Sequence, residues 1–293
     1  MIIDASEALI VAALPEGRVL GHRPLKGGVS ADVTLFDIKM ADGSVRQCVL
    51  REHGETHCGH SPELEFKLLC ALHEFGLPVA RPLAFSAGDE RGTRPGVLSE
   101  YAQGSTAISA PDAEARIDAM AWQLAAIHCA PTHILPALPE RLDPQGELLT
   151  FLPNTTEWSG LRLRLKQLGP QPYRGRASLL HGDYWPANIV WRDERIAAVI
   201  DWEDAAIGDP LSDVACAQLE LRYVFGPWGA RRFAQAYAQH NEVDPVRLAW
   251  WQAYVAAAGA KSMGDWGLDA DRIATMRAIA KETIREAADV FAA

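Results

Sequence analysis

The sequence changes character near residue 102, and this change limits the folds that the chain can adopt. Before it, short runs rich in β-branched and apolar residues are separated by glycine, proline and aspartate turns, which is typical of β-strands. After it, apolar residues recur every three to four positions, as in amphipathic helices. Strands followed by helices predict a mixed α+β fold in two parts.

We expect the boundary in the AQGST stretch at 102–106, which gives a β-rich part at 1–101 and a mostly helical part at 102–293. In the first part, a helix at 4–14 and a longer helix from about Ser61 to Gly76 accompany five strands. The predicted strands lie at 19–24, 31–40 and 45–51, in the GLPVARPLAF stretch, and at 95–101. In the second part, a helix begins at Pro111-Asp112, and further helices are predicted at 211–225, 229–241, 245–263 and 270–292.

Residues 181–191 read HGDYWPANIVW, and DWED follows at 201–204. Two apolar, β-prone runs at 189–191 and 196–200 flank the charged stretch 192–195, which suits a hairpin turn. If the runs pair antiparallel, Asn188 lies opposite Asp201, with about 5 Å between their Cβ atoms. Pro186 keeps the preceding stretch out of a helix, so Asp183 stays on a loop at the same end.

Three oxygen-bearing side chains at one end of a hairpin predict a site for a hard cation, with Mg²⁺ favoured and one carboxylate left to handle a proton. Taken singly, Asp183 could be a turn residue and Asp201 could merely end a strand. The matched spacing of Asp183, Asn188 and Asp201 argues against these readings.

Composition narrows the class of protein. Hydrophobic residues make up 48% and charged residues 23% of the chain, as in ordinary globular proteins. The start, MIIDASEALIVAAL, lacks the basic residues of a signal peptide, and no apolar run approaches the roughly 18–20 residues that cross a bilayer. Five cysteines without CxxC spacing favour a reduced, cytoplasmic setting. The net charge of −10 argues against a nucleic-acid partner. We expect a cytoplasmic monomer or homodimer without a membrane partner.

The sequence gives little support for other nucleotide-binding, nucleophile or zinc sites. The sequence contains no GxGxxG, GxxxxGK[ST] or GxSxG motif. His53, His57, Cys58 and His60 could form a zinc site, but their spacing matches no usual zinc finger, and a histidine-rich loop is the favoured interpretation.

The ordered series HGDxxxxN, IDWE and GDPxxDVA, at 181–215, resembles the aminoglycoside phosphotransferase family, whose fold is like that of protein kinases. The resemblance covers almost the whole chain, since six further segments also match in order: KGGVSADV, VLR, EFKLLCAL, GLPVARPL, SEY and LAAIH. It implies a two-lobed, protein-kinase-like α+β fold. The N-lobe would be small and β-rich with one main helix, and the C-lobe would be larger and mostly helical.

The resemblance also implies roles for individual residues. Asp183 would be the catalytic base that orients or deprotonates the acceptor hydroxyl. Asn188 and Asp201 would hold Mg²⁺ on the phosphates of ATP. His181 and Asp213 would support the catalytic loop through hydrogen bonds without reacting themselves.

A further group of residues would bind the nucleotide. Arg51 stands where the family usually has a lysine, with Glu65 as its helix partner, and a guanidinium can bind phosphate. The loop over the phosphates would be formed by Gly27, Gly28 and Ser30. The hinge facing the adenine would be formed by Glu100, Tyr101 and Ala102.

The implied activity is transfer of the ATP γ-phosphate to a hydroxyl of a small molecule. IDWED passes through GDP directly into a helix, without an activation segment, which favours a small-molecule acceptor over a protein. Two alternatives stay open. One is a metabolic kinase of the choline, homoserine or fructosamine type, and the other, motivated by Arg51, is a non-catalytic nucleotide-binding pseudokinase.

The acceptor is the least determined element. Residues 201–220 contain six carboxylates and no lysine or arginine, and three of the six (Glu203, Asp204 and Glu220) have no assigned partner. They could be a solvated acidic face. Alternatively, Asp204 and Asp265 line an acceptor pocket with Trp185 and Trp266, which would favour an amine-bearing acceptor such as an aminoglycoside.

Overall fold

The computed structural model describes residues 2–25, 31–54, 59–88, 93–107 and 112–292. Internal contacts group the chain into two compact units. The first comprises Met1–Ser105, His133–Ala137 and Ile189–Asp204, and the second comprises Thr106–Thr132, Leu138–Asn188 and Ala205–Ala293. The hairpin segment 189–204 is thus grouped with the first unit, whereas the sequence-based division assigned it to the helical part.

The first unit contains an antiparallel sheet of five strands. These are β1 Arg18–Pro24, β2 Ala31–Lys39, β3 Val45–His53, β4 Pro82–Ala87 and β5 Pro95–Glu100. Their order in the sheet is β1-β2-β3-β5-β4, so β3 is the central strand. Helix α1 (Ile2–Ala13) contributes Ile10 to a core that also contains Phe36, Ile38, Cys48, Leu50 and Leu98. The five predicted strands are confirmed.

Helix α2 (Pro62–Phe75) follows β3 and is delimited by its capping residues. The Ser61 side chain accepts a hydrogen bond from the backbone N–H of Leu64 at 3.3 Å, which satisfies one free donor of the first turn. Gly76 ends the helix with φ 92°, a value that disfavours residues with a Cβ atom. Leu68 is fully buried, and Glu65, three residues earlier, lies on the same buried face.

The predicted hairpin is confirmed as β8 (Ile189–Arg192) and β9 (Arg195–Val199). Arg192 pairs with Arg195, so Asp193 and Glu194 form the turn. Asp193 has φ 57°, which aspartate tolerates better than most residues.

The predicted register of this hairpin is wrong at its open end. A β-bulge interrupts the pairing between Val190 and Trp191, and the ladder ends with Ile189 opposite Val199. Asp201 therefore comes two residues after Val199, the last paired residue of β9. Asn188 ends a 3-10 turn just before β8 begins at Ile189. The bulge adds one residue, Ala197, to β9, and continuing the ladder past Ile189 would place Asn188 opposite Ile200, one residue short of Asp201.

The hairpin is attached to the rest of the first unit by backbone contacts. Ser105 and Trp191 exchange two backbone hydrogen bonds of 2.8 Å, and the Val199 N–H donates to the Pro78 carbonyl at 2.6 Å. A Cβ atom at Gly104 would lie 2.2 Å from the Trp191 carbonyl oxygen, so only glycine fits there.

The second unit is mostly helical. Its helices are α3 Ala113–His128, α4 Gln145–Phe151, α5 Ser159–Leu168, α6 Leu211–Tyr237, α7 Pro245–Ser262 and α8 Ala270–Ala292. A small sheet in the order β6-β10-β7 is formed by Glu140–Arg141, Ala206–Gly208 and Ser178–Leu180, respectively. Helices α4 and α5 and this sheet were not predicted. No helix in the described ranges is long and apolar enough to cross a membrane.

Helix α6 explains why two helices were predicted at 211–225 and 229–241. Gly226 has non-helical angles (φ 68°, ψ −167°) and Pro227 follows it, so the helix is broken at that point. Helices α7 and α8 pack against each other and form much of the core, in which Trp250 stacks on Phe291 with 4.6 Å between the ring centroids. Trp250 is thus a packing residue.

Candidate active site

In the first unit, the Arg51 guanidinium is surrounded by three carboxylates. Nη1 lies 3.3 Å from Oε2 of Glu65, and Nη2 lies 3.0 Å from Oδ1 of Asp201. Nη2 also forms an ion pair with Oε2 of Glu203. The Arg51 side chain is only 15% exposed, so these charges interact more strongly than they would at the surface. We refer to Arg51, Glu65, Asp201 and Glu203 as the arginine cluster.

The arginine cluster contains an excess of negative charge. Burial raises the pKa of the Asp201 carboxyl to about 6, because Glu203 and Glu65 add to the effect and Arg51 only partly offsets it. Burial disfavours the charged form of Arg51 as well, but the three carboxylates outweigh it and raise its pKa. Among the residues that the structure describes, the cluster therefore places one guanidinium among three carboxylates.

Glu203 was not recognised as a site residue from the sequence. The sequence alone assigns Glu203 no partner, whereas in the structure its carboxylate forms an ion pair with Arg51. Its backbone carbonyl accepts the N–H of His60 at 3.0 Å, and the neighbouring Trp202 is buried with Nε1 donating to the Val199 carbonyl at 3.0 Å. Asp201 has φ 67°, an uncommon value for a residue with a Cβ atom. The end of the hairpin is therefore firmly positioned.

The other predicted nucleotide residues are only partly described. Glu100 ends β5 opposite Cys48, and the Tyr101 N–H donates to the Gln47 carbonyl at 3.1 Å. Ala102 follows outside any helix or strand and is partly buried. Gly27, Gly28 and Ser30 lie outside the described residues.

In the second unit, Asp213 holds the loop that contains Asp183. Asp213 is fully buried in the first turn of α6. Its Oδ2 accepts the backbone N–H of His181 at 2.7 Å, and its Oδ1 accepts the N–H of Gly182 at 3.0 Å. Nε2 of His128 lies 3.3 Å from Oδ2. Burial alone would raise the pKa of Asp213, but the hydrogen bonds and charges of His128 and His181 outweigh it and lower that pKa.

The carboxylate of Asp183 is oriented by its neighbours in the second unit. Nδ2 of Asn188 donates to the Asp183 backbone carbonyl at 2.9 Å and to its Oδ2 at 3.2 Å. The Asp183 N–H donates to Nδ1 of His181 at 3.3 Å, and Sγ of Cys216 lies 3.9 Å from Oδ1. The structure thus brings together Asp183, Asn188, His181 and Asp213 in the second unit.

Glu220 is a second carboxyl group that acts electrostatically on Asp183. It lies one helical turn after Cys216 on α6 and is partly buried. Burial, followed by the negative charge of Asp183, raises the pKa of Glu220 to about 8, and Arg272 offsets only part of this. Helical spacing alone gave no reason to place Glu220 near Asp183, because the contact depends on tertiary packing.

The six carboxylates of 201–220 do not form a solvated face. Asp209 and Asp213 are fully buried, and only Asp204 is exposed. Asp209 is an internal group, since it forms an ion pair with Arg247 and accepts Nε1 of Trp251 at 2.6 Å.

The predicted acceptor residues are found in both units. Asp204 belongs to the first unit. In the second unit, Asp265 is exposed in a 3-10 turn after α7, and Trp266 beside it is partly buried. Trp185, also in the second unit, is partly buried two residues after Asp183.

The histidines considered for zinc make other contacts. Nε2 of His53 lies 3.2 Å from Oε2 of Glu65. His60 is buried, whereas His57 and Cys58 lie outside the described residues. Within the described ranges, no three His, Cys, Asp or Glu side chains are grouped as metal ligands.

Comparison with known proteins identifies the family. The model of the phosphotransferase enzyme family matches residues 22–251, which is more than three quarters of the chain. Three solved structures share the fold at 18–19% identity. A Ralstonia eutropha protein provisionally described as an aminoglycoside phosphotransferase matches with a TM-score of 0.72, covering 98% of both chains. The choline kinase of Streptococcus pneumoniae gives 0.66, covering 97% of this chain and 99% of that one.

The third structure is a thermostable mutant of aminoglycoside phosphotransferase APH(4)-Ia in a ternary complex with AMP-PNP and hygromycin B. Its TM-score is 0.64, and the match covers 96% of this chain and 98% of that chain. The mouse (Mus musculus) protein acyl-CoA dehydrogenase family member 10 is 30% identical over 202 residues. That match covers 61% of this chain but only 18% of the mouse protein, so the chain spans less than a fifth of that relative's length.

The sheet unit, the motif hairpin and the helical unit share the protein-kinase-like α+β fold of these structures. The chain belongs to the phosphotransferase enzyme family. It is therefore a small-molecule kinase, a class that transfers phosphate to hydroxyl groups, and the fold predicted from the sequence is confirmed.

Proposed function

We propose that the protein transfers the γ-phosphate of ATP to a hydroxyl group of an amine-bearing small molecule, with Mg²⁺ as cofactor. The observation that carries this proposal is the geometry around Asp183. A carboxylate is held by the Asn188 amide on a loop whose backbone N–H groups are fixed by the buried Asp213. A general base needs this kind of fixed orientation, because proton transfer depends on the position of the accepting oxygen.

Asp183 would accept the proton of the acceptor hydroxyl, or align it, as the phosphate is transferred. Nδ2 of Asn188 fixes Oδ2 of Asp183, so rotation of the carboxylate is restricted. Arg141 adds a second anchor, since its Nη1 donates to the Gly182 carbonyl at 3.2 Å. The role of His181 and Asp213 would be to support this loop.

Mg²⁺ would be held by Asp201 and Asn188, whose oxygen-bearing side chains are of the type that a divalent cation prefers. Asp201 lies in the arginine cluster, where three carboxylates face one guanidinium and a cation would be favoured. The Asn188 amide nitrogen makes both contacts to Asp183, which leaves its oxygen as the atom suited to Mg²⁺. Bound Mg²⁺ would neutralise charge on the phosphates as transfer proceeds.

The first unit would bind the nucleotide. Arg51 is held by Glu65 on a buried helix face, and its guanidinium can contact phosphate oxygens in place of the usual lysine. Gly27, Gly28 and Ser30 would cover the phosphates, and Glu100, Tyr101 and Ala102 would face the adenine. One of the similar structures contains AMP-PNP, which supports ATP as the donor.

Negative charge near Asp183 supports an amine-bearing acceptor. Glu220 is a second carboxyl group in the same unit, and Asp265 lies in that unit with Trp185 and Trp266. Carboxyl groups in this unit would attract a cationic hydroxylated molecule. Asp204, in the first unit, is a further carboxylate that the sequence predicts for the acceptor. Aminoglycoside phosphotransferases and a choline kinase among the similar structures act on acceptors of this type.

The test begins with hydroxylated amines, sugars and antibiotics offered with ATP and Mg²⁺, with ADP release as the readout and ³¹P NMR to locate the phosphate. With the best acceptor, Asp183→Asn should lower kcat by about 100-fold or more. Its affinity for Mg²⁺–ATP, measured by calorimetry, should stay close to that of the wild type. The matched control is Asp193→Asn in the hairpin turn, where asparagine tolerates the positive φ equally well.

Unaltered turnover in Asp183→Asn would exclude Asp183 as the base. A neutral or anionic best acceptor would exclude the amine-bearing class while leaving the transfer reaction intact. Absence of Mg²⁺–ATP binding at millimolar concentration in the wild type would exclude ATP as the donor.

A further inference from the structure

The second unit contains a cavity of about 870 Å³ that none of the proposed active-site residues lines. It lies among α4, the segment 152–158, α5, α7 and α8, and we refer to it as the bundle cavity. Its volume falls within the range of about 300–1,000 Å³ that is usual for small-molecule sites. A site of this size can accommodate a ligand of its own.

One wall of the bundle cavity is apolar and belongs to the helical core. Leu152, Trp158, Ala257 and Ile284 line it and are almost completely buried. These residues come from three segments, 152–158, α7 and α8, so their positions are fixed by packing between separate parts of the chain. The wall therefore offers a preformed surface for an aliphatic or aromatic group.

The polar part of the bundle cavity is cationic. Arg162, Lys261, Arg277 and Lys281 line it, and no aspartate or glutamate does. This is unexpected in a chain with 38 acidic and 28 basic residues. Four cations beside an apolar wall are suited to a ligand that is both apolar and negatively charged.

Two of these cations are already engaged within the protein. Nζ of Lys281 lies 2.6 Å from Oε1 of Glu157. Nη1 of Arg162 donates to the carbonyl oxygens of Leu149 at 2.7 Å and Leu152 at 2.6 Å, and so satisfies the end of α4. These two residues hold the cavity in shape.

Lys261 and Arg277 are the cations available to a ligand. Nζ of Lys261 lies 5.2 Å from the centroid of the Phe151 ring, so its charge is directed over the aromatic lining. Within the part of the chain that the structure describes, neither residue has a carboxylate at ion-pair distance. An anionic head placed between them would gain attraction without displacing an existing partner.

We propose that the bundle cavity binds a small amphiphilic anion. Its apolar tail would pack against Leu152, Trp158 and Ile284, and its carboxylate or phosphate head would contact Lys261 and Arg277. This site goes beyond the proposed phosphate transfer, since none of the residues assigned to ATP, Mg²⁺ or the acceptor takes part.

The test is calorimetric titration of the full chain with decanoate, and with decylammonium as the tail-matched cation. Decanoate should bind saturably with a Kd below about 1 mM and at least about tenfold more tightly than decylammonium. Arg277→Gln should weaken decanoate binding by about 3–10-fold, and more so at low salt, because the head loses one charged contact. Arg164→Gln, an exposed α5 change outside the cavity, removes the same charge and should leave the Kd unchanged.

A second variant tests the volume. Ala260→Phe places a ring in the bundle cavity and should abolish decanoate binding, with circular dichroism verifying the fold. If that variant does not fold, the comparison of Arg277→Gln with Arg164→Gln tests the proposal instead. Both side chains are exposed, so neither change should disturb the fold. Equal affinity for the two probes, equal effects of the two arginine changes, or no saturable decanoate binding would each overturn the proposal.

Discussion

Asp213→Asn is expected to destabilise the protein and slow phosphate transfer together. The two carboxylate oxygens of Asp213 accept different backbone N–H groups, those of His181 and Gly182. An asparagine has the same shape but only one accepting oxygen, so one N–H group would face an NH₂ donor. The side chain is fully buried, so water cannot take over the lost contact.

The size of the effect follows from these contacts. Losing a charged acceptor while leaving a buried N–H group unsatisfied costs about 3–5 kcal/mol. For a protein of this size, each kcal/mol lowers Tm by about 2–4 °C, so a fall of roughly 6–20 °C is expected. Because the loop also carries Asp183, kcat should fall as well, by about tenfold or more.

Asp244→Asn provides the matched control. Asp244 also accepts two backbone N–H groups, from Val246 at 2.9 Å and Arg247 at 3.1 Å, but both donate to the same oxygen, Oδ1. Asparagine can replace aspartate at such an exposed N-cap at a cost of a few tenths of a kcal/mol. Thermal unfolding of both variants gives the comparison, and equal losses of Tm would refute the reasoning.

The pH dependence adds a second criterion for Asp213. Its pKa is lowered in the folded protein, so its contribution to stability is fully present above the ordinary value of 3.8 and is lost as pH falls through the lower folded pKa. The stability difference between the wild type and Asp213→Asn should therefore be constant at neutral pH and shrink only below 3.8.

Two further predictions concern the arginine cluster and Glu220. Arg51→Ala should raise the KM for ATP by about tenfold or more, whereas Arg51→Lys should retain most activity; an unchanged KM in Arg51→Ala would exclude a phosphate contact. Burial and then Asp183 raise the pKa of Glu220 from 4.5 to about 8, so the folded wild type holds a proton that the unfolded chain releases, and its stability falls across that window. Urea unfolding at about pH 5 and about pH 8 should therefore show the stability of Glu220→Gln, relative to the wild type, increasing with pH. A difference that stays flat between these two pH values would contradict the raised pKa of Glu220.

The sequence predicts the first unit well because its signals are local. Strand alternation, the Ser61 cap and the Gly76 stop act within a few residues of where they are read. The sequence does not predict helices α4 and α5, because the local signals in that region do not favour a helix. Seven prolines interrupt residues 130–178, and LRLRLKQL in α5 alternates as a strand would, although only Leu165 of that helix is fully buried.

The candidate site was partly predictable. Asp183, Asn188 and Asp201 stand in one short motif, so residue type and spacing identify them. Glu203 was next to that motif, but its partner Arg51 is 152 residues away in the chain. Cys216 and Glu220 approach Asp183 through the packing of α6, which no local pattern encodes.

The attachment of the hairpin to the first unit determines how the protein can be divided into fragments. A fragment ending at residue 101 would keep Arg51 beside Glu65 but would lack Asp201 and Glu203, two of the three carboxylates described around the guanidinium. Because Ser105 pairs directly with Trp191, a linker of a few residues from Ser105 to Ile189 could restore the segment 189–204. A separately expressed first unit therefore has to join stretches of the chain that are far apart in sequence, 1–105 with 189–204, and its third stretch, 133–137, would have to be added as well.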